Sequence, residues 1–289
     1  MNKSKRLSGR AYLPRVSIIT TTLNAAEGLP WTIASLRAQT ERDFEWIVVD
    51  AGSSDGTLAL LQAASDVVSV LISRPRIGIA AAWNAAVPWA LGDWLLFLGA
   101  GDELAGPEVL QRMASHLDAA HPRQTMVYGR IALIEQGTRQ VLEVRGAPWD
   151  QFAGRWVLFR PMLPVHPEVF HHRSLFDQGQ RFDEGLRYAS DTDFLLRQAS
   201  CQRFLYVPET ISRMEFGGVT GQLRNLRAIS VETRAIARRY GLRAPFTHRM
   251  VQHCKLWLAD MLACCLPSPA LRRVENRFRR LRAICAVNA

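Results

Sequence analysis

Two hydrophobic rhythms alternate along the first 130 residues. Val16–Thr22 (VSIITTT) and Phe44–Asp50 (FEWIVVD) are short, apolar, β-branched runs, with the length and composition of buried strands. Residues 67–72, 94–98 (WLLFL) and 126–128 continue the series. Between these runs the spacing turns helical. Residues 28–39 place Leu29, Ile33 and Leu36 on one side. Leu58, Leu61 and Gln62 mark a second helix, with Ser54 or Asp55 as its cap. Residues 79–90 form an alanine-rich third helix and residues 107–119 a fourth. Strand and helix in this alternation predict an α/β domain around a mostly parallel sheet flanked by helices. Further along, the pattern predicts a helix over residues 190–200 and a helical, partly amphipathic region from residue 221. No internal repeat or low-complexity tract interrupts the chain.

In parallel sheets of this kind ligands bind beyond the carboxyl ends of the strands. Those ends carry Thr21 and Thr22, Asp50 and Asp102. Asp50 opens the turn-rich loop AGSSDGT, where a carboxylate serves either an Asx-turn or a ligand. Asp102 follows Gly99-Ala100-Gly101, glycines that allow the backbone close to a ligand. One carboxylate there suits Mg²⁺ or Mn²⁺ shared with substrate phosphates, or a simple turn. Glu103, next door, points another way. Ser190-Asp191-Thr192-Asp193 has nearly the capping-box form, with Ser190 as cap and Asp193 reaching back. This leaves Asp191 at the positive end of a helix, where an ionised carboxylate is favoured, either as a plain first-turn acid or as a general base. His166 lies in a proline-bounded loop. His171 and His172, adjacent on a strand, face opposite ways and are not joint ligands. The dinucleotide fingerprint G-x-G-x-x-G and the P-loop are both missing.

Composition adds less than the distribution of charge. The chain has 289 residues, 48% hydrophobic and 21% charged, ordinary for a globular protein. Pervasive disorder, a collagen and a disulfide-stapled miniprotein are excluded. The net charge is +10, and residues 1–220 carry 22 basic against 23 acidic side chains, while residues 221–289 carry 14 against 3. The body is neutral and the tail is a basic module. Six arginines between Arg272 and Arg282, after an amphipathic stretch with Trp257, suit an anionic membrane surface, a solvated basic face or nucleic acid. No recognition motif supports specific nucleic-acid binding. The five cysteines form no C-x-x-C pair, and the basic N-terminus lacks a signal-peptide core. These features predict a reducing, cytoplasmic setting.

Four blocks in order carry a resemblance. VSIITTTLNAAEGLPWTIASLRAQT…FEWIVVDAGSSDGT is similar to the N-terminal half of the family 2 glycosyltransferases. SRPRIGIAAAWNAAVPWALGDWLLFLGAGDEL resembles their next block, ending in an acidic metal motif. HPEVFHHRSLFDQGQRFDEGLRYASDTDFLLR resembles the acceptor-side block, and Phe216-Gly217-Gly218-Val219-Thr220 fits the bacterial polysaccharide branch. The resemblance covers about residues 14–220 and implies a GT-A fold, with a Rossmann-like, mostly parallel sheet. Outside it lie the basic segments 1–13 and 221–289, the latter predicted to be helical and partly amphipathic. The resemblance further implies an inverting transfer of a sugar from a nucleoside diphosphate donor to a hydroxyl acceptor, a saccharide or lipid-linked saccharide, on the inner face of the plasma membrane. Thr21, Asp50, Gly78 and Asn84 would line the donor site. Asp102 would hold Mn²⁺ or Mg²⁺, Asp191 would be the base, and His166 would stand on the acceptor side. Ala51 and Gly101 occupy positions where many relatives carry a second acid, which implies either weaker metal or donor binding or compensation by Glu103. A non-catalytic nucleotide-sugar-binding protein on the same scaffold is therefore the competing reading.

Overall fold

The computed structural model describes residues 13–135, 137–152, 154–215 and 223–265. Eleven strands and eight α-helices follow in the order β1 (Val16–Thr22), α1 (Leu29–Arg37), β2 (Phe44–Asp50), α2 (Thr57–Ala63), β3 (Val70–Ser73), α3 (Ile79–Ala86), β4 (Trp94–Phe97), β5 (Glu103–Leu104), α4 (Val109–Ala120), β6 (Met126–Ile134), β7 (Val141–Arg145), β8 (Trp156–Val157), β9 (Arg160–Pro161), β10 (Val169–His172), α5 (Arg173–Asp177), α6 (Ser190–Ala199), β11 (Leu205–Glu215), α7 (Leu223–Arg239) and α8 (Phe246–Cys265).

Nine strands form one sheet in the order β3-β2-β1-β4-β10-β6-β11-β5, with β7 beside β6. β3, β2, β1 and β4 run parallel; β10 runs antiparallel to both β4 and β6, which returns β6 and β11 to the direction of β1. The sheet is thus mixed but mostly parallel. Its alternating side chains fill two cores. Ile19, Ile47, Val49 and Phe97 pack on one face with α3 and α6, and Ile18, Trp46, Val48 and Leu96 on the other with α1 and α4. α1 buries Leu29, Ile33 and Leu36, the stripe its spacing predicts, together with Thr32, and has Pro30 in its first turn.

Four local expectations differ. α2 starts after Gly56, which takes φ +93° and has no side-chain cap; Asp55 instead accepts from the Thr57 amide and hydroxyl and from the Ala26 amide. β3 begins at Val70. α3 stops at Ala86 and passes into a 3₁₀ turn over Val87–Trp89, where Pro88 has no amide for the next helical bond. Ser190 is inside α6 rather than capping it, and its hydroxyl donates to the Asp183 carbonyl at 3.0 Å. Asp193 does not reach back either: it is buried and paired with Arg197 and Arg239.

α7 carries much of the tail's charge yet docks on the body. Ile229, Ile236 and Ala237 are buried, and Ile236 joins the core beneath α6. The arginines of 272–282 lie outside the described residues.

Candidate active site

At the carboxyl edge of β1 and β2 two loops are stitched into one. Asp50, fully buried, accepts from the Thr22 hydroxyl at 2.8 Å, the Ser53 hydroxyl at 2.5 Å, and the Gly52 and Ser53 amides at 3.0 and 2.9 Å. Burial alone would raise this carboxyl; the bonds from Ser53, Thr22 and Gly52 outweigh it and hold the group below its usual range. The Asx-turn bonds are therefore formed. Asn24, with φ +50°, then joins the loops: its amide donates to the Ser53 hydroxyl at 2.9 Å, and its side-chain oxygen accepts from the Ser54 amide at 2.9 Å. Thr21, beside Val49 in the register, is half-buried at the same edge.

The loop after β4 closes against α1 and the glycine before it. Thr32, on the buried face of α1, donates to the Asp102 carbonyl at 2.7 Å and accepts from the Gly101 amide at 2.9 Å. Gly28 lies so close that a Cβ there would meet the Gly101 Cα at 3.0 Å. Gly101 has φ +100°, a conformation L-residues rarely adopt, so the acid found here in many relatives does not suit this backbone. The Asp102 carboxyl, half-buried, folds back onto the Gly99 amide at 3.1 Å. Burial lifts it to about 7, Glu215 adds to the rise, and the Gly99 bond and Arg139 oppose it.

Arg139 is a residue that sequence reading missed. Its guanidinium bonds the Gly101 carbonyl at 3.0 Å, pairs with Glu215 at 2.7 Å and with Glu103, and lies 5.0 Å over the Trp31 ring. Glu103 is thereby committed to Arg139, with Arg213 at 4.0 Å, and is not free to replace an acid at Gly101. No local pattern announces a hub whose hydrogen-bonded partners lie 36 to 76 residues away. Thr32 did leave a signal: a hydroxyl on an otherwise apolar stripe.

Gly78 is the exposed residue preceding α3. Asn84, within α3, donates to the Phe182 carbonyl and the Glu184 carboxylate, both at 2.9 Å, and accepts from the Phe182 amide at 3.0 Å. It ties α3 to the segment leading into α6. Asp191 stands in the first turn of α6, half-buried, its carboxylate accepting from the Thr192 amide at 2.6 Å. Burial raises this carboxyl above its ordinary value, against the pull of Arg160 and Thr192. A base whose proton affinity climbs toward the working pH is better suited to take a proton.

His166 is buried. Its ring stacks on Phe97 at 5.0 Å and meets Trp83, His171 and Phe182. Burial lowers it to about 3, so it is neutral near pH 7. His171 is fully buried while His172 is half-exposed, as opposite strand faces require.

Thr21 and Asp50 therefore lie at the edge stitched by Asn24, and Asp102 follows β4, which pairs with β1 on the side opposite β2. Asn84 reaches the approach to Asp191, but no hydrogen bond or ion pair among the described residues links Asp191 to Asp50 or Asp102.

The sequence profile of Glycosyl transferase family 2 matches residues 17–202, from β1 to the end of α6. The chain belongs to glycosyl transferase family 2. Among relatives of this transferase, a PGL/p-HBAD biosynthesis glycosyltransferase of Mycobacterium bovis (strain BCG / Pasteur 1173P2) is 32% identical over 217 residues, covering 73% of this chain and 80% of the relative. The succinoglycan biosynthesis protein ExoO of Rhizobium meliloti (strain 1021) is 30% identical, covering 94% and 88%. Two solved structures share the fold. TarS 1-349 of S. aureus in complex with UDP superposes with TM-score 0.56 at 21% identity over 75% of this chain. The mannosyltransferase PcManGT of Pyrobaculum calidifontis, in complex with GDP-Man and Mn²⁺, does so with TM-score 0.59 at 17% identity, over 95% of this chain and 86% of its own. This transferase spans 39% of the longer TarS chain and 65% of TarS 1-349. The α/β architecture is thus the GT-A fold of its structural neighbours.

The donor set limits what a metal would find. Among the described residues no three His, Cys, Asp or Glu side chains gather as a metal centre. Asp102 offers one carboxylate with one hydrogen bond from protein, which fits a cation held chiefly by substrate phosphates.

Proposed function

We propose that this family 2 transferase moves a sugar from a nucleoside diphosphate donor to a hydroxyl acceptor, with inversion, in the synthesis of a cell-surface polysaccharide or glycolipid. The observation that carries this reading is the docked Gly101–Asp102 loop. Thr32 fixes its backbone against α1 and leaves the Asp102 carboxyl with capacity to spare. The structural neighbours with UDP or with GDP-Man and Mn²⁺, and the PGL/p-HBAD and succinoglycan biosynthesis named for relatives, support the donor and acceptor classes.

In this reading Thr21 and the Asp50 loop border the nucleoside, and Gly78 opens the backbone path along α3. Asn84 holds the wall between α3 and the Phe182–Glu184 segment. Asp102 would hold Mn²⁺ or Mg²⁺ against the diphosphate, where a bound cation neutralises developing charge. The acceptor oxygen attacks the anomeric carbon as the bond to the diphosphate oxygen breaks. Asp191 takes the hydroxyl proton, and the negative charge leaves on the nucleoside diphosphate. His166 supports the acceptor side from behind, within the aromatic wall under α6.

An anionic membrane surface is the proposed docking partner of the tail, at the inner face of the plasma membrane and hence in the cytoplasm. α8 leaves Phe246, Met250, Trp257 and Met261 exposed along one side, and the chain beyond it carries the arginine cluster. No helix among the described residues is long and apolar enough to cross a membrane.

The test is nucleoside diphosphate release from a panel of UDP-, GDP- and TDP-sugars, with and without Mn²⁺. Turnover of one sugar, stimulated by Mn²⁺ and losing both donor affinity and stimulation in Asp102→Ala, is the expected result. Binding without turnover across the panel would favour a nucleotide-sugar-binding protein instead.

A further inference from the structure

α6 carries Asp191 but has no cap of its own. Ala189 sits at its N-cap and offers no side-chain acceptor, and the Ser190 hydroxyl is turned to Asp183. Amide groups at a helix start need partners. Here those just before the helix find one on a different element. The Glu232 carboxylate, on α7, accepts from the amides of Arg187 at 2.9 Å, Tyr188 at 2.8 Å and Ala189 at 2.9 Å. Three charge-assisted bonds from consecutive amides fix a backbone more tightly than a side-chain cap, and place negative charge at the positive helix end.

Contacts on either side of Glu232 reinforce the join. Tyr188 donates its hydroxyl to Asn225 at 3.4 Å, and Arg239 bridges Asp183 at 3.0 Å and Asp193 at 2.8 Å. Beneath them Ile229, Thr233 and Ile236 are buried. α7 therefore grips the α6 N-terminus along its length.

We propose that α7 is a positioning element of the active site: Glu232, through the amides of residues 187–189, sets where the first turn of α6 and its Asp191 lie. The proposal rests on the reading of Asp191 as the base. It makes part of the basic C-terminal region a component of the catalytic machinery. Misplacing a reacting group by about 1 Å costs about 10²-fold in rate, which sets the scale of the effect.

The test uses the full-length chain with Glu232→Gln, Glu232→Asp and Asp191→Asn as single substitutions, and with Glu232→Gln and Asp191→Asn combined in a double variant. The substrate is whichever nucleotide sugar in the panel the wild type hydrolyses fastest, with water as acceptor. Glu232→Gln is expected to lower kcat by about 10- to 10²-fold with KM for the donor within twofold, and Glu232→Asp to recover part of the loss. Amide exchange over residues 187–193 should quicken in Glu232→Gln. In the Asp191→Asn background Glu232→Gln should have no further effect, since it acts through the group already removed. Unchanged kcat, unchanged exchange, an effect of equal size in the Asp191→Asn background, or kcat and KM moving together with the folded fraction would each overturn the proposal. Full turnover by Asp191→Asn alone would instead overturn the base reading, a separate and visible failure.

Discussion

Asp50 ends β2 and Asp102 lies in the loop after β4, on either side of β1, yet their surroundings shift them in opposite directions. Asp50 is saturated by its own loop and lowered; Asp102 has one amide and is lifted to about 7. One hydroxyl, that of Thr32, holds two backbone groups of the loop that presents Asp102, and Arg139 holds a third. Thr32→Val keeps the shape of the side chain but strands the Gly101 amide and the Asp102 carbonyl. It is expected to cost about 1–3 kcal/mol in chemical denaturation and to raise KM for the donor. Restoring the acid of many relatives should not help. Gly101→Asp meets φ +100°, so thermal unfolding should show a loss of about 1–3 kcal/mol and metal stimulation should not increase.

Two buried groups set opposite limits on stability. His166 is held neutral down to about 3 in the fold, against an ordinary value of 6.5, so the unfolded chain binds the extra proton between these values. Its contribution is complete above 6.5 and is lost as pH falls toward 3. Glu168 is the reverse: burial raises it to about 8 from 4.5, so its contribution is complete below 4.5 and lost as pH rises through 8. Melting temperature against pH should therefore fall on both sides. His166→Leu should flatten the acid limb, and Glu168→Gln the alkaline limb. Parallel curves for either variant and the wild type would remove that assignment.

At the scale of elements, local pattern reached the sheet strands that carry the site but not the contacts between elements. β1 and β2 have the bounds their apolar runs predict, because burial on both faces imprints itself on every residue. The antiparallel β10, inserted between β4 and β6, left no such imprint; Val169–His172 reads alike in either direction. The candidate acids were legible as residues at strand and helix ends. Their commitments were not. Glu103 looked like a stand-in acid until Arg139 claimed it, and the Ser190–Asp193 spacing imitated a capping box although Ser190 bonds Asp183 and Asp193 pairs with arginines. The Arg139 node is also a prediction. Both Arg139 and Glu103 are about nine-tenths buried, so Arg139→Met removes the ion pair to Glu215 and leaves Glu103 with only the longer Arg213 contact. Denaturant unfolding should show a loss of about 3 kcal/mol.

For the whole molecule, charge and packing divide the chain differently. Charge changes at residue 221, whereas α7 is built into the body and α8 presents an apolar side. The proposed attachment to a membrane and the proposed support of α6 thus fall in one C-terminal region. Vesicles of anionic phosphatidylglycerol should float the full-length chain, neutral phosphatidylcholine vesicles should not, and serine at Trp257 and Met261 should weaken flotation. Equal flotation with both lipids would remove the charge-based account.

The most direct measurement concerns Asp191. Transfer by Asp191→Asn is compared with the wild type on the same nucleotide sugar, with nucleotide affinity measured on both. If α6 presents the base, turnover falls by about 10²–10⁴-fold while affinity is preserved. Turnover at the wild-type rate would contradict the account.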